Sequence, residues 1–462
     1  MKHRRVRENS GVDRIGLLLR RLIALNGLRL AGTFGSPALS AFFVGIACQP
    51  LAGSEMAGKP LLWMLGKEGL TEDLLVSLGE EGWASPVDFS RGVPKVIARR
   101  YLPPGVDDNS YAMPDPEINA AKKRYMEAWR DIFRHLPRGC RPRAITTGNF
   151  GYYAEREMAA AAEHEGIPFI AMHKECLKSE GRLVFFQTVY QRRGRFEGRK
   201  ILVYNERERK LQVTAGIARP EQVVVCGMPR LDRLHRWRMH AAKQRLDAPS
   251  TLLALGFTPN TGLPRIPRKG EGGTLATFEY VDPAHEHLGW HNFFHNYHET
   301  LVKVAWDNPA WKVQLKLKGR HRDAEPSIRL LEELKVPDNL QIVVGGDPLE
   351  LIVNADVICG FNTTAVLEGL AAGLPVVTPE FDEVVDLRMR DFAASFGTAT
   401  HTPSDPLSMY KVLTELMTHR QAPLKILPHP VAEMLDIWVG NADGRAGERV
   451  RQVFEHEMNF RC

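Results

Sequence analysis

Three polar residues, Asn362, Thr363 and Thr364, stand between an apolar run (DVICG, residues 356–360) and an Ala/Leu-rich stretch that stops at Gly373, with Pro375 just beyond. The pattern is a strand end feeding a helix start. The first N–H groups of a helix have no internal partner, and its dipole places about half a positive charge there. Hydroxyl and amide donors at that point suit a phosphate. The competing reading is that Thr363 or Thr364 only caps the helix. Glu368 lies about one turn further on. It either complements the dipole or accepts hydrogen bonds from the hydroxyls of a ribose whose phosphates sit at the helix start.

Four other stretches carry candidate chemistry. Thr258 opens a Pro/Gly/basic segment, residues 258–273, expected to be a long loop. Its Arg265, Arg268 and Lys269 could meet a phosphate or simply decorate a surface. Gly227 sets a Gly-Met-Pro-Arg turn that projects Arg230, as a phosphate contact or as a pin for a linker. Lys316, Lys318 and His321 end a strand reading WKVQLKLKG. Period-two alternation puts the two lysines on one face. His173 and Glu175 end the expected strand FIAMHKE, and either could act as a general base. A zinc-ligand spacing, a paired-carboxylate metal motif, a P-loop, HExxH and GxSxG are all absent. On the residues alone, zinc and redox readings are weak. The six cysteines, Cys48, Cys140, Cys176, Cys226, Cys359 and Cys462, form no CxxC pair and are expected to be reduced thiols.

These residues need elements to hold them. Residues 144–175 read as strand, Ala-rich helix, Gly166 stop, strand. Residues 201–230 repeat the plan. After a basic helical stretch, residues 233–248, the alternation restarts at TLLALGF and runs through helix HNFFHNYHETLVKVAWDN to the 360–381 segment. Such alternation implies parallel strands with right-handed crossovers and helices on both faces. Residues 435–458 end the chain with a Gly/Asn/Asp turn and an amphipathic helix carrying Val450, Val453 and Phe454 on one face. The first 110 residues are less legible and are assigned to the first domain by default.

A 462-residue chain allows two or three domains. Hydrophobic residues at 44% and charged residues at 25% fit a globular protein and exclude disorder or a collagen-like repeat. The formal charge of +6 suits a phosphate-bearing substrate or an anionic membrane surface and does not call for nucleic acid. The Arg-rich opening is broken by Arg20 and Arg21, so it reads as neither a signal-peptide core nor a spanning helix. A basic amphipathic segment resting on an anionic leaflet is one reading, and a helix covering its own domain is the other.

Taken in order, VVVCGMPRLDRLH, VQLKLKGRH, DVICGFNTTAVLEGLAAGLPVVTPEF and DGRAGERV resemble the carboxyl half of GT-B transferases. The narrower similarity is to bacterial surface-polysaccharide and capsule glycosyltransferases and the CDP-glycerol glycerophosphotransferase-like group, over roughly residues 200–460. The resemblance implies an α/β protein with two Rossmann-like domains facing an interdomain cleft. Its divisions are residues 1–235 on the acceptor side, 236–430 for the nucleotide donor, and a helical segment, 431–462, packing back on the first domain. It places Asn362, Thr363 and Thr364 on the donor phosphates with Glu368 nearby for ribose or sugar, and it suggests Arg230 and Lys316 as phosphate contacts; Gly227, Thr258, Lys318 and His321 join them as donor-site candidates from the residues themselves, as His173 or Glu175 does for the base. His321 departs from the family pattern: it lies further from Lys316 than the family histidine and has no Pro after it. The implied activity is metal-independent transfer of a sugar, or sugar-like unit, from a nucleotide donor to a glycan or lipid-linked acceptor in cell-surface polysaccharide assembly. The location expected is cytoplasmic, and the membrane reading of the basic amino-terminal segment, independent of the resemblance, would add peripheral contact at the inner membrane. Three alternatives share the fold: a CDP-glycerol-type polyol-phosphate transferase, a nucleotide-sugar 2-epimerase, and a non-catalytic binding protein.

Overall fold

The structure, a computed structural model, describes residues 11–50, 58–66, 69–79, 82–241, 249–269 and 275–459. The chain divides into two compact units. One holds residues up to 176, 189–230 and 445 onward; the other holds 177–188 and 231–444.

The first unit opens with helices α1 (Gly11–Phe34) and α2 (Pro37–Ala47), the second started by a Ser36 cap followed by Pro37. Then come β1 (Cys48–Pro50), β2 (Leu61–Leu65), α3 (Leu70–Leu78), β3 (Ser85–Phe89), α4 (Gly92–Tyr101) and α5 (Pro116–His135). Asp115 caps α5 by accepting from the Ile118 N–H, and Arg134 and His135 close its last turn against the dipole. The alternation continues with β4 (Ala144–Thr147), α6 (Tyr153–His164), β5 (Phe169–Met172), β6 (Lys200–Val203), α8 (Glu206–Thr214) and β7 (Val223–Val225), while α7 (Glu180–Gln191), between β5 and β6 in sequence, belongs to the second unit up to Thr188. The sheet order is β1-β3-β2-β4-β5-β6-β7. Only β1 runs antiparallel to its neighbour.

The second unit contains α9 (Leu231–His240), β8 (Thr251–Leu255), β9 (Arg265–Lys269), β10 (Leu275–Tyr280), α10 (His291–Asp307), β11 (Lys312–Leu317), α11 (His321–Leu334), β12 (Leu340–Val344), α12 (Pro348–Ile352), β13 (Val357–Cys359), α13 (Thr364–Ala371), β14 (Val376–Val377), α14 (Pro406–Thr418) and α15 (His429–Val439). Its parallel sheet has the order β12-β11-β8-β13-β14. Central β8 is buried throughout, whereas edge strand β12 leaves Ile342 and Val344 exposed. Helix α10 supplies the apolar stripe, with Phe293, Tyr297, Leu301 and Val304 buried against the sheet.

The last helix, α16 (Ala446–Asn459), belongs to the first unit. It buries Val450 and Phe454 beside Leu74 and Leu78 of α3, with Val453 partly buried there. Glu457 holds Arg199 at 3.4 Å and Lys200 at 3.5 Å.

The α/β class and the two Rossmann-like domains expected from sequence are both present. The 258–273 segment is corrected: β9 lies inside it and pairs antiparallel with β10. Pro267 within β9 is tolerated because a two-stranded ribbon needs no donor on its outer side. Residues 270–273 and Cys462 lie outside the described residues. Cys48, Cys140, Cys176, Cys226 and Cys359 are free thiols, and burial pushes Cys226 and Cys359 up to about 12. Among the described residues no helix is long and apolar enough to cross a membrane.

Candidate functional site

In the second unit, the five parallel strands taken in chain order lie third, second, first, fourth, fifth across the sheet. The direction of winding reverses between β8 and β13. In an open α/β sheet the crevice at such a reversal, beyond the carboxyl ends of the strands, is where ligands bind. Two of the stretches singled out from sequence emerge at this point: the Thr258 turn after β8 and Asn362–Thr364 after β13.

Aromatic packing fixes both turns from below. The Phe257 and Phe361 rings, one beyond each strand, lie 5.2 Å apart, and Phe293 of α10 sits 4.8 Å from Phe361. The Tyr297 hydroxyl reaches the Leu255 carbonyl at 3.3 Å and the Cys359 carbonyl at 3.1 Å, so one buried side chain ties the two strand ends. Burial pushes its ionisation well above the usual phenol range. The Thr258 turn is closed by the Thr261 hydroxyl, which accepts from the Thr258 N–H at 3.0 Å, and by Trp290 Nε1, which donates to the Thr261 carbonyl at 2.7 Å.

Asn362 adopts φ +47, a left-handed conformation that Asn tolerates better than most residues. Its side chain is a clamp: Oδ1 accepts from the Ala394 N–H at 2.7 Å and Nδ2 donates to the Phe392 carbonyl at 3.0 Å. Gly262, at φ +79, comes so close that a Cβ there would stand 2.9 Å from Asn362 Nδ2. The Asn362 side chain, expected on a donor phosphate, is thus committed to the protein, and what Asn362 itself can offer a ligand is backbone. Thr363 is the N-cap of α13, with its hydroxyl 3.4 Å from the Ala365 N–H, long for a capping bond. Thr363 and Thr364 are half-buried, while Glu368 is only 6% exposed within α13.

The remaining second-unit candidates are less concentrated. Lys316 is half-buried near the end of β11, opposite Leu255 in the register. Lys318 and His321 are exposed at the start of α11. Arg265 lies over the Phe278 ring at 3.9 Å, inside the ribbon.

Gly227, Arg230, His173 and Glu175 belong to the first unit. Its parallel strands lie second, first, third, fourth, fifth, sixth, so winding reverses between β2 and β4. Buried charge networks line the carboxyl ends. Asp73 accepts from the Tyr204 hydroxyl at 2.5 Å, the Arg230 N–H at 3.1 Å and Arg230 Nη1 at 3.3 Å. Burial, followed by the Asp73 charge, pushes the Tyr204 phenol well up. Gly227, at φ +81, makes the turn that delivers Arg230. Lys174 Nζ and Arg230 Nη1 flank Gly69, the N-cap of α3, at 3.0 and 3.5 Å from where its Cβ would stand. At β4, Glu155 takes Thr147 Oγ1 at 2.6 Å and Arg91 Nε at 2.7 Å; burial raises its carboxyl above the ordinary range.

His173 is 1% exposed, and its Nε2 lies 3.1 Å from both Glu208 Oε1 and the Tyr190 hydroxyl. Glu208 also accepts from Tyr190 at 3.0 Å and Gln212 at 2.9 Å. His173 is thus a buried histidine whose Nε2 is engaged by Glu208 and Tyr190. Glu175 is exposed. One ligand atom each from His173, Cys176 and Glu208 fall within 4.8 Å of one another, a donor set that can hold a divalent ion such as zinc. The same atoms already serve the hydrogen-bond network, Cys176 Sγ donating to the His173 carbonyl at 3.0 Å.

Asp73, Tyr204, Glu155, Tyr190 and Glu208 were not singled out from sequence. The signal that could have found Glu208 is Asn205 three residues before it, a helix N-cap whose Oδ1 accepts from the Glu208 N–H at 2.9 Å.

No family profile and no curated protein matches the chain. Solved structures do. The UDP-GlcNAc 2-epimerase from Neisseria meningitidis bound to UDP-GlcNAc is 12% identical, with 86% of this chain and 99% of that one covered at a TM-score of 0.44. A putative UDP-N-acetylglucosamine 2-epimerase from Listeria monocytogenes is 10% identical, with 87% and 97% covered at 0.46. The UDP-GlcNAc 2-epimerase from Methanocaldococcus jannaschii is 13% identical, with 86% and 99% covered at 0.43. The fold follows from the chain's own strand orders.

Proposed function

We propose that the protein is an enzyme of the GT-B class that binds a nucleotide-diphosphate sugar through its second unit. The observation that carries this reading is the meeting of the Thr258 and Asn362–Thr364 turns at the β8/β13 reversal, over an aromatic base that holds both. The backbone donors at the start of α13 and the Thr363 and Thr364 hydroxyls receive the diphosphate, and Lys316 adds charge. Electrostatic stabilisation of a departing nucleotide by fixed donors needs no proton transfer to it. The reaction is transfer of the sugar to an acceptor hydroxyl, with Glu175, the exposed member of the two candidate bases, taking the proton.

A second reading is isomerisation of the nucleotide sugar at its ring. It calls for several carboxylates with a histidine, and the first unit has Asp73, Glu155, Glu175 and Glu208 with His173 along the carboxyl ends of its strands. One experiment tests the shared reading and divides the two. Titration calorimetry with UDP-, CDP- and GDP-sugars is expected to show micromolar binding of one of them. Absence of binding by every nucleotide defeats both readings. Incubation with the bound sugar nucleotide alone, followed by NMR, then separates them, because isomerisation needs no acceptor and transfer does.

A further inference from the structure

The first unit has a second surface whose chemistry the nucleotide reading does not use. Residues 1–50 contain eight Lys and Arg against two Asp and Glu, so this segment holds the entire formal excess of +6 and the rest of the chain is neutral. Within it, α1 is apolar on two sides. Ala24, Leu28 and Ala31 face the unit and are buried. On the opposite side Leu19, Leu22, Ile23, Leu30 and Phe34 are each more than half exposed. Arg20, Arg21 and Arg29 are exposed beside them. A contiguous exposed stripe of large apolar side chains marks a surface that something covers.

A cavity of about 770 Å³ opens beside this stripe, among α1, α2, α4 and α5. Leu28, Ile97 and Ile132 give it an apolar floor. Arg29, Arg99, Arg100, Lys123 and Arg124 give it a rim of five exposed cations. Its two acids, outnumbered by the five cations, have arginine partners of their own: Glu127 is 3.1 Å from Arg130 and Asp131 is 3.6 Å from Arg134, both arginines also holding Glu165. Gly32 keeps the wall open, and a Cβ there would meet Arg100 Nη1 at 3.3 Å. Apolar floor, cationic rim and adjoining apolar stripe match one object in three parts: acyl chain, phosphate headgroup and hydrocarbon surface.

We propose that α1 lies in the face of an anionic phospholipid bilayer, and that the cavity beside it takes the phosphate headgroup and upper chain of one lipid. The stripe supplies the apolar contact of an interfacial helix, and the cations supply the attraction to charged headgroups. With no helix among the described residues able to span a bilayer, the contact is peripheral.

The test uses the full chain and vesicles of phosphatidylcholine with or without 30% phosphatidylglycerol, read by sedimentation. The expected result is recovery with the anionic vesicles only, falling as salt rises. Arg99→Gln with Arg100→Gln, and separately Lys123→Gln with Arg124→Gln, lower the partition coefficient by roughly tenfold or more, at about fivefold per cation. Leu19→Ser with Ile23→Ser, at exposed positions, abolishes recovery while the thermal melt stays unchanged. Gly32→Leu fills the cavity and reduces the preference for phosphatidylglycerol. Soluble glycerol phosphate at millimolar concentration fails to compete, because it lacks the chain. Equal recovery on neutral vesicles, wild-type recovery by both charge variants, competition by glycerol phosphate, or a dimer that dissociates on Leu19→Ser/Ile23→Ser overturns the proposal. Nucleotide binding plays no part in the measurement, so its outcome is independent of the function proposed above.

Discussion

The carboxyl ends of the two parallel sheets are built from opposite materials. In the first unit they carry buried ionisable side chains locked to one another: Asp73 with Tyr204 and Arg230, Glu155 with Arg91 and Thr147, Glu208 with His173, Tyr190 and Gln212. In the second unit they carry hydroxyls, amides and main chain, half-open to solvent, above a layer of aromatic rings. Charge locked to charge holds a shape and resists change. Neutral donors on a rigid base remain available to an anion that arrives later. The same topology thus gives one edge whose energy is already committed internally and one edge that still has donors to give.

The largest effect expected from breaking this contrast is at Glu208. Glu208→Ala leaves Tyr190, Gln212 and His173 without their buried acceptor, and stability measured by urea unfolding should fall by about 3–5 kcal/mol. Glu208→Gln, which keeps an acceptor oxygen, should lose less than half of that.

Acid separates the second unit's core from its surface. His298 is fully buried, with Nδ1 on the Phe294 carbonyl at 2.7 Å and Nε2 on Ser327 Oγ at 3.1 Å, and burial lowers its pKa to about 4. The folded ring stays neutral where the unfolded one takes a proton, so this stability is present above pH ~6.5 and is lost as pH falls toward about 4. The loss should approach roughly 3 kcal/mol, and His298→Gln should flatten the dependence of the urea midpoint on pH over that window.

Asn362→Ala removes two clamp bonds and leaves a β-carbon at positive φ without the compensation Asn provides. Unfolding stability should fall by about 2 kcal/mol, and nucleotide affinity should fall with it because the turn is no longer held. Asn362→Gly, which relieves the backbone, should recover part of the stability and none of the affinity.

The smallest stability effect belongs to Thr363→Ala with Thr364→Ala. Losing a weak cap costs about 1 kcal/mol or less, while nucleotide dissociation constants should rise about tenfold in calorimetry. Unchanged affinity removes the second unit's turn from the diphosphate site.

Local pattern carried much of this architecture into view. Strands β8 and β13 are apolar runs bounded by Gly, β11 alternates polar and apolar residues, helix α10 repeats its aromatics at helical spacing, and Gly373 with Pro375 announces the end of α13. The early part hid for a physical reason. Strand β2 is five apolar residues without polar alternation, and α1 is apolar on both sides, so neither shows one clean face. Pro267 and the glycines after it disguised the β9–β10 ribbon as loop. At the site, the Asn362 turn was legible because a strand end and a helix start are neighbours in sequence. The Asp73–Tyr204–Arg230 network was not, since its partners are 131 and 157 residues apart in the chain. His173 was legible as a strand-end histidine, but its neighbours Tyr190 and Glu208, which make it a core residue, come from other elements.

The Asn362 clamp bears on how a ligand is met. A loop that must order itself around an anion gives up conformational freedom in the encounter, and affinity is reduced by that loss. Here the left-handed residue is fastened to Phe392 and Ala394, and Gly262 is packed against it, before any ligand arrives. Binding at this turn should therefore show a small entropic penalty and little change in hydrogen exchange at residues 360–366. The turn acts as a mould set in advance, and its selectivity rests on shape as well as charge.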